Sequence, residues 1–178
     1  RSKNLGAYGD AGIITTNNKK FFNKIKNFRN LGSDKKFIHT QIGFNSRLDT
    51  LQACILRQKL NLLNRYNNNR RKIAKIYDNK IINKKIMKIK YSSSAVYHQY
   101  VIMVTNRKLL INELKKNKIQ YGFHYPKSIN QLSALKKIYK DQNYPNAENL
   151  AKKCLSLPID PTLKNIEINR IIKVLNSF

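Results

Sequence analysis

Lys3 stands directly before three glycines spaced three apart, Gly6, Gly9 and Gly12. Glycine at this density serves sharp turns or close approach of backbone to a ligand. A lysine in a glycine-walled, partly desolvated loop has its pKa lowered and can form a Schiff base with a carbonyl group. The ordinary alternative is a solvated surface lysine, in a chain that carries 36 Lys and Arg. The glycine spacing matches neither a dinucleotide-binding fingerprint nor a phosphate loop. The loop alone therefore leaves the role of Lys3 open.

A second candidate is Asn45-Ser46-Arg47-Leu48-Asp49, read as the start of the longest periodic segment. A helix start offers unpaired N–H groups and a positive dipole end, and Asn45 and Arg47 add side-chain donors, so the stretch suits an anion or a phosphate. Plain N-capping is the simpler reading, with Ser46 and Asp49 forming a weak capping box. His39, His98 and His124 are each compatible with a packed structural histidine or with a site. No pair of them has metal-ligand spacing, and Cys54 and Cys154 lie too far apart in sequence for a metal motif. Cys54, among apolar helical neighbours, is expected to be a reduced core thiol. There is no nucleophile-elbow serine, and the carboxylates are too few for glycosidase chemistry.

These residues need elements to position them. Ile13–Thr16 is expected to be a strand closed by Asn17-Asn18, and Lys19–Arg29 an amphipathic helix stopped at Leu31-Gly32-Ser33. A polar loop reaches Gly43. Leu48, Leu51, Ile55, Leu62, Tyr66, Ile73 and Tyr77 then step by three, four and seven, which predicts one long helix with Asn67–Arg71 on its exposed side. Further on, strands are expected at 97–104 and 119–125, and helices at 107–117, near 131–140, at 145–154 and at 166–178. Ser156-Leu157-Pro158-Ile159 reads as an extended piece kept from the sheet centre by its proline. Alternating strands and helices with short connections argue for α/β or α+β packing.

Composition bounds the rest. The formal net charge is +27, from 36 basic and 9 acidic residues. A nucleic-acid-binding face would need that charge gathered on one side, whereas the lysines are dispersed and accompanied throughout by Asn and Ile, as codon drift in an AT-rich genome produces. Hydrophobic residues make up 41%, enough for a core, and no apolar run approaches membrane-span length. No secretory segment opens the sequence, and a cytoplasmic setting is expected from the cysteine reading. Arg1 in place of an initiator Met points to a piece of a longer protein.

In order along the chain, Lys3-Asn4-Leu5-Gly6-Ala7-Tyr8-Gly9-Asp10-Ala11-Gly12, Arg29-Asn30-Leu31-Gly32 and Gly43-Phe44-Asn45-Ser46-Arg47-Leu48-Asp49-Thr50-Leu51-Gln52-Ala53 resemble motifs of the DegT/StrS family. So do His124-Tyr125-Pro126 and Leu155-Ser156-Leu157-Pro158. These are pyridoxal-phosphate-dependent sugar aminotransferases of fold type I, and the resemblance covers their C-terminal half, from residue 3 to about 175. It implies an α/β fold in which 1–60 is the tail of the large cofactor-binding domain and 61–178 a linking helix with the small C-terminal domain. It implies that Lys3 carries pyridoxal 5'-phosphate covalently, and that Asn45 reaches the cofactor phosphate of a partner subunit in a homodimer with shared active sites. His124 and Tyr125 would lie near the sugar-nucleotide entrance. The implied reaction is transfer of an amino group, usually from glutamate, to a nucleotide-linked keto-sugar, with no metal, nucleic acid or membrane involved. Dehydratase relatives carry histidine in place of the lysine, so Lys3 argues for transamination. Two positions depart from the common pattern, Asn130 for a second histidine after His124-Tyr125-Pro126, and Leu31 for a frequent histidine. The residues that complete the cofactor site in such enzymes would precede residue 1.

Overall fold

The computed structural model describes residues 3–139 and 142–178. The chain divides into two compact units, 1–63 and 64–178.

The first unit opens with the loop that holds Lys3 and the glycines. Ile13–Thr16 is not part of a sheet, because a strand exists only through pairing and none of the described strands pairs with it. Helix α1 spans Lys19–Phe28, and the Asn18 side chain accepts the Phe21 N–H at its start. Leu31 and Gly32 then both take positive φ, 60° and 71°, which turns the chain sharply. At Gly32 a side chain would also run into the Gln41 carbonyl, so glycine is required there. The expected polar loop contains a small antiparallel hairpin, β1 (Ser33–Lys35) with β2 (Ile38–His39).

Helix α2 runs from Thr50 to Lys80 and so begins later than the periodicity suggests. The reason is backbone bonding. Phe44 N–H donates to the Phe28 carbonyl, Leu31 N–H to Phe44, and Ser46 N–H to Arg29, which holds 44–46 extended against the end of α1. Ser46 is therefore not a helix cap, and Asn45 sits in a bridge to Asn30. Cys54 is exposed, contrary to expectation.

In the second unit the buried positions of α2 are Arg70, Ile73, Ala74 and Tyr77, a single face at helical spacing. The Asn67–Arg71 stretch is thus not simply the solvent side. Arg70 donates to the Ile159 carbonyl at 2.8 Å, Asn69 to Pro161 at 3.2 Å and Arg71 to Ala95 at 3.1 Å. Burial lowers the pKa of the Arg70 guanidinium, and the Asp160 charge opposes that. Side chains satisfy carbonyls in and just past the last turn of α2, Asp78 and Ile81 by Lys88 Nζ and Lys80 by Asn176.

A three-stranded antiparallel sheet follows, in the order β3 (Ile86–Lys88), β4 (Tyr100–Val104), β5 (Cys154–Leu157). Tyr100, Ile102 and Val104 alternate into the core, as the pleat requires. β3 has no counterpart among the expected elements. Segment 119–125 forms only one bridge, Gly122 with Ser156, on the far side of β5. β5 is the last strand of the sheet, as Pro158 suggests, and its outer side carries only the Gly122 bridge before the proline ends it. Helix α3 (Arg107–Lys116) packs Leu110 and Leu114 inward, and α5 (Asn165–Ser177) packs Ile168, Ile171, Ile172 and Leu175. Residues 131–139, expected to be helical, form short 3-10 turns, and position 140 of that stretch lies outside the described residues. Helix α4 spans Pro145–Lys153, with proline at its start where the missing N–H costs nothing. No helix among the described residues is long and apolar enough to cross a membrane.

Candidate active site

Lys3 and Asn45 belong to the first unit, and His124 and Tyr125 to the second.

Lys3 is exposed, on a bend. The loop behind it is fastened to α2 by two side chains. Gln52 Oε1 accepts the N–H groups of Tyr8 and Gly9, at 2.8 and 3.0 Å. Lys59 Nζ donates to the Gly6 carbonyl at 2.6 Å and lies 4.6 Å from the centre of the Tyr8 ring. One carbonyl oxygen accepting two successive N–H groups fixes the backbone that follows Lys3. Gln52 lies within the motif stretch 43–53, yet its role is visible only in three dimensions. Gly9 and Gly12 do not adopt the left-handed conformation, and a side chain at Gly12 would meet open space. The bend at Tyr8 and Gly9 is thus made without a left-handed residue.

Asn45 is exposed, and its Oδ1 accepts from Arg47 Nε at 3.0 Å. That bond engages the amide oxygen, while the amide NH₂ and the remaining guanidinium N–H groups are donors of the kind an anion accepts. The donor set suits a phosphate, but it is assembled by an extended segment and not by a helix N-terminus. His39 Nδ1 lies 3.0 Å from the Leu31 carbonyl, a local structural bond.

His124 and Tyr125 line one cavity of about 400 Å³ with Ser128, Asn130, Tyr139 and Tyr144. His124 Nδ1 lies 2.8 Å from Ser156 Oγ, and its ring meets Tyr125 edge-on. Asn130, the departure from the common pattern, donates to Glu148 Oε1 at 2.6 Å and accepts from Ser128 Oγ at 2.6 Å. The 126–131 loop is thereby tied to the first turn of α4. A second cavity, about 740 Å³, adjoins the first through Lys127, Asn130 and Tyr139 and adds Gln131, Lys136 and Gln142. Among the described residues no group of three or more His, Cys, Asp or Glu could hold a metal ion.

The model of the DegT/DnrJ/EryC1/StrS aminotransferase family matches residues 1–176. The chain belongs to that family. Among its relatives, the pleiotropic regulatory protein of Geobacillus stearothermophilus is 35% identical over 99% of this chain and 49% of its own length. The UDP-N-acetyl-3-dehydro-alpha-D-glucosamine 3-aminotransferase of Acidithiobacillus ferrooxidans is 34% identical, over 98% of this chain and 47% of its own. NtdA of Bacillus subtilis, solved with bound cofactor PMP, superposes with a TM-score of 0.86 at 26% identity, covering 99% of this chain and 43% of that one. The chain spans about half the length of the curated relatives it matches. The mixed helix-and-sheet architecture is that of these aminotransferases.

Proposed function

We propose that this chain is the C-terminal part of a pyridoxal-phosphate-dependent sugar aminotransferase, which converts a nucleotide-linked keto-sugar to an amino sugar. The observation that carries this reading is the family match over 1–176, which includes the Lys3 loop. The residues present suit the cofactor by their chemistry. An exposed primary amine precedes a backbone loop fastened to a helix, and Asn45 with Arg47 offers donors to a phosphate. In this reading 1–60 belongs to the large cofactor-binding domain and 61–178 to the linking helix and small domain. The working enzyme is a homodimer in which Asn45 serves the partner's cofactor.

When bound, the cofactor supplies an electron sink for charge on the substrate carbon. Lys3 is the residue that would hold the cofactor through its amine, and that amine, when free, would move the proton that leaves and returns to the substrate carbon. Asn45 and Arg47 orient the phosphate by charge-assisted hydrogen bonds. His124 and Tyr125 contact the sugar nucleotide. Glutamate is the donor we assign, and the product serves a surface polysaccharide or a secondary metabolite. Lys3, in place of histidine, favours transamination over dehydration.

Borohydride treatment of the intact, cofactor-loaded protein tests the reading. It should fix the cofactor to the single peptide that contains Lys3. Labelling of another lysine would remove Lys3 from the role.

A further inference from the structure

The bridge between Gly122 and Ser156 does more than extend the sheet. Gly122 N–H donates to the Ser156 carbonyl at 3.1 Å, and Ser156 N–H to the Gly122 carbonyl at 2.8 Å. Both residues then meet the ring of His124. The Ser156 hydroxyl, buried in β5, lies 2.8 Å from His124 Nδ1. A Cβ at position 122 would come within 3.0 Å of His124 Cε1 and 3.5 Å of Nδ1, so glycine leaves room for the ring edge. Two residues before Ser156 on the same strand face, Cys154 Sγ donates to the Tyr125 carbonyl at 3.4 Å. The Tyr125 ring stands 5.5 Å away at 77°.

A packing histidine in a half-exposed loop does not need this degree of restraint. The Ser156 bond orients the ring, and the missing side chain at Gly122 leaves its edge room. Nδ1 is engaged inside the sheet, so Nε2 is the ring nitrogen left for the cavity that His124 lines. The partner of one ring nitrogen decides which nitrogen carries the proton in the neutral ring.

We propose that Ser156 is a positioning residue for substrate binding: its hydroxyl donates to His124 Nδ1 and keeps the proton of the neutral ring on Nε2. His124 then presents a fixed N–H donor to an acceptor oxygen of the sugar nucleotide, a hydroxyl or a phosphate oxygen. Gly122 sets the ring position, and Ser156 sets its tautomer. The proposal rests on the reading of this cavity as the sugar-nucleotide site.

The test uses the intact, cofactor-loaded enzyme and ¹⁵N NMR of the His124 ring, together with steady-state kinetics for the nucleotide sugar. In Ser156→Ala the ring nitrogens should shift toward a mixture of tautomers. KM should rise roughly 3- to 10-fold, the size of one net hydrogen bond, with kcat nearly unchanged. Ser156→Thr, which keeps the hydroxyl, should restore the wild-type ring signals. Gly122→Ala keeps the hydroxyl but pushes the ring, so KM should rise while the Nε2–H tautomer persists; this arm decides if Ser156→Ala does not fold. Ring signals in Ser156→Ala identical to wild type would overturn the proposal, as would a changed tautomer with unchanged KM. His124→Ala separates the two readings. If it leaves KM unaltered, the cavity is not the sugar-nucleotide site, whereas the ring signals still report on Ser156 independently.

Discussion

Residues 64–178 and residues 3–63 are held by different forces. In the second unit one core runs from Ile73 through β3, β4, α3 and β5 to Leu175, with Tyr77, Leu110, Leu114 and Leu155 fully enclosed. In the first unit Ala7 is the one buried hydrophobic residue among those described. Ile13, Phe37, Ile42 and Leu51 there are between 77% and 92% exposed. What fastens the first unit is polar: Gln52 on the Tyr8 and Gly9 amides, Lys59 on the Gly6 carbonyl, and the backbone bonds that join 44–46 to the end of α1. Apolar side chains exposed on this scale mark a surface built to be covered. The comparison teaches that chemistry and stability have been assigned to different parts of the chain. The unit that presents the amine proposed to react has almost no core, and the unit with the core positions a histidine.

The largest expected effect follows from that division. In the intact protein, Lys3→Ala should lower turnover by about 10²- to 10⁴-fold through loss of the acid–base step alone, and further through loss of cofactor attachment. The thermal midpoint of the cofactor-free protein should stay where it is, because an exposed lysine carries no packing. A fall in that midpoint comparable to a core mutant's would show that the loop supports the fold and would break the division.

Next in size is a core truncation. Leu114→Ala in α3 should cost about 2–5 kcal/mol by denaturant titration, from lost transfer energy and the cavity left behind. The same change at Leu51, exposed on α2, should stay within about 0.5 kcal/mol. Hydrogen exchange should likewise find the slowest amides in β4, β5 and α5, and fast exchange before Thr50. Equal costs at positions 51 and 114 would mean that the first unit has a cooperative core of its own.

Much of this was legible in the sequence, and unevenly so. The bounds that the sequence implies for α1, α3 and α5 agree with the structure within a residue or two, because their apolar spacing and their turn residues agree. β4 is legible too, although it starts three residues later than its sequence pattern suggests. The errors share one cause, which is that pairing is non-local. Ile13–Thr16 has the pattern of a strand but no strand beside it among those described, and segment 119–125 joins the sheet by a single bridge at Gly122. Pro158, by contrast, is a sound signal, since β5 is the last strand of the sheet and ends just before it. Arg70 looked solvent-exposed because a guanidinium is polar, but Ile159 presents a carbonyl beneath it. The family was readable from ordered motifs, since each needs particular residues at a particular place. Ser156, Gly122 and Gln52 were not legible as working residues, because their roles depend on partners between 2 and 44 positions away.

Asn45→Ala comes third. Loss of a hydrogen bond to a charged phosphate should weaken cofactor retention by roughly 1.5–3 kcal/mol in the intact protein. Because Asn45 Oδ1 also accepts from Arg47, the variant frees that guanidinium, and Asn45→Asp is the useful companion. Aspartate keeps the acceptor for Arg47 but repels the phosphate, so it should weaken retention more than alanine does. Titration of the apoprotein with pyridoxal phosphate reads both. Equal retention in all three proteins would reduce Asn45 to a structural member of its bridge with Asn30.

The smallest effect is the one that sharpens the comparison most. Ile42 is 92% exposed, beside the turn that follows β2. In the chain of 178 residues, Ile42→Lys should change stability by no more than about 0.5 kcal/mol, since nothing packs on the side chain. It should also raise solubility, because it interrupts an apolar surface. The curated relatives are about twice as long, and our proposal has the additional chain of such a protein cover this surface. There the lysine would be buried without a partner, and the cost should exceed about 2 kcal/mol. Paired denaturant titrations of the substitution in the short and the long protein measure the difference directly. A large difference says that the first unit lacks a core here because its core is completed elsewhere in the chain. Equal, negligible costs in both would place Ile42 in water in the enzyme as well, and the weak packing of the first unit would then be a property of its own sequence.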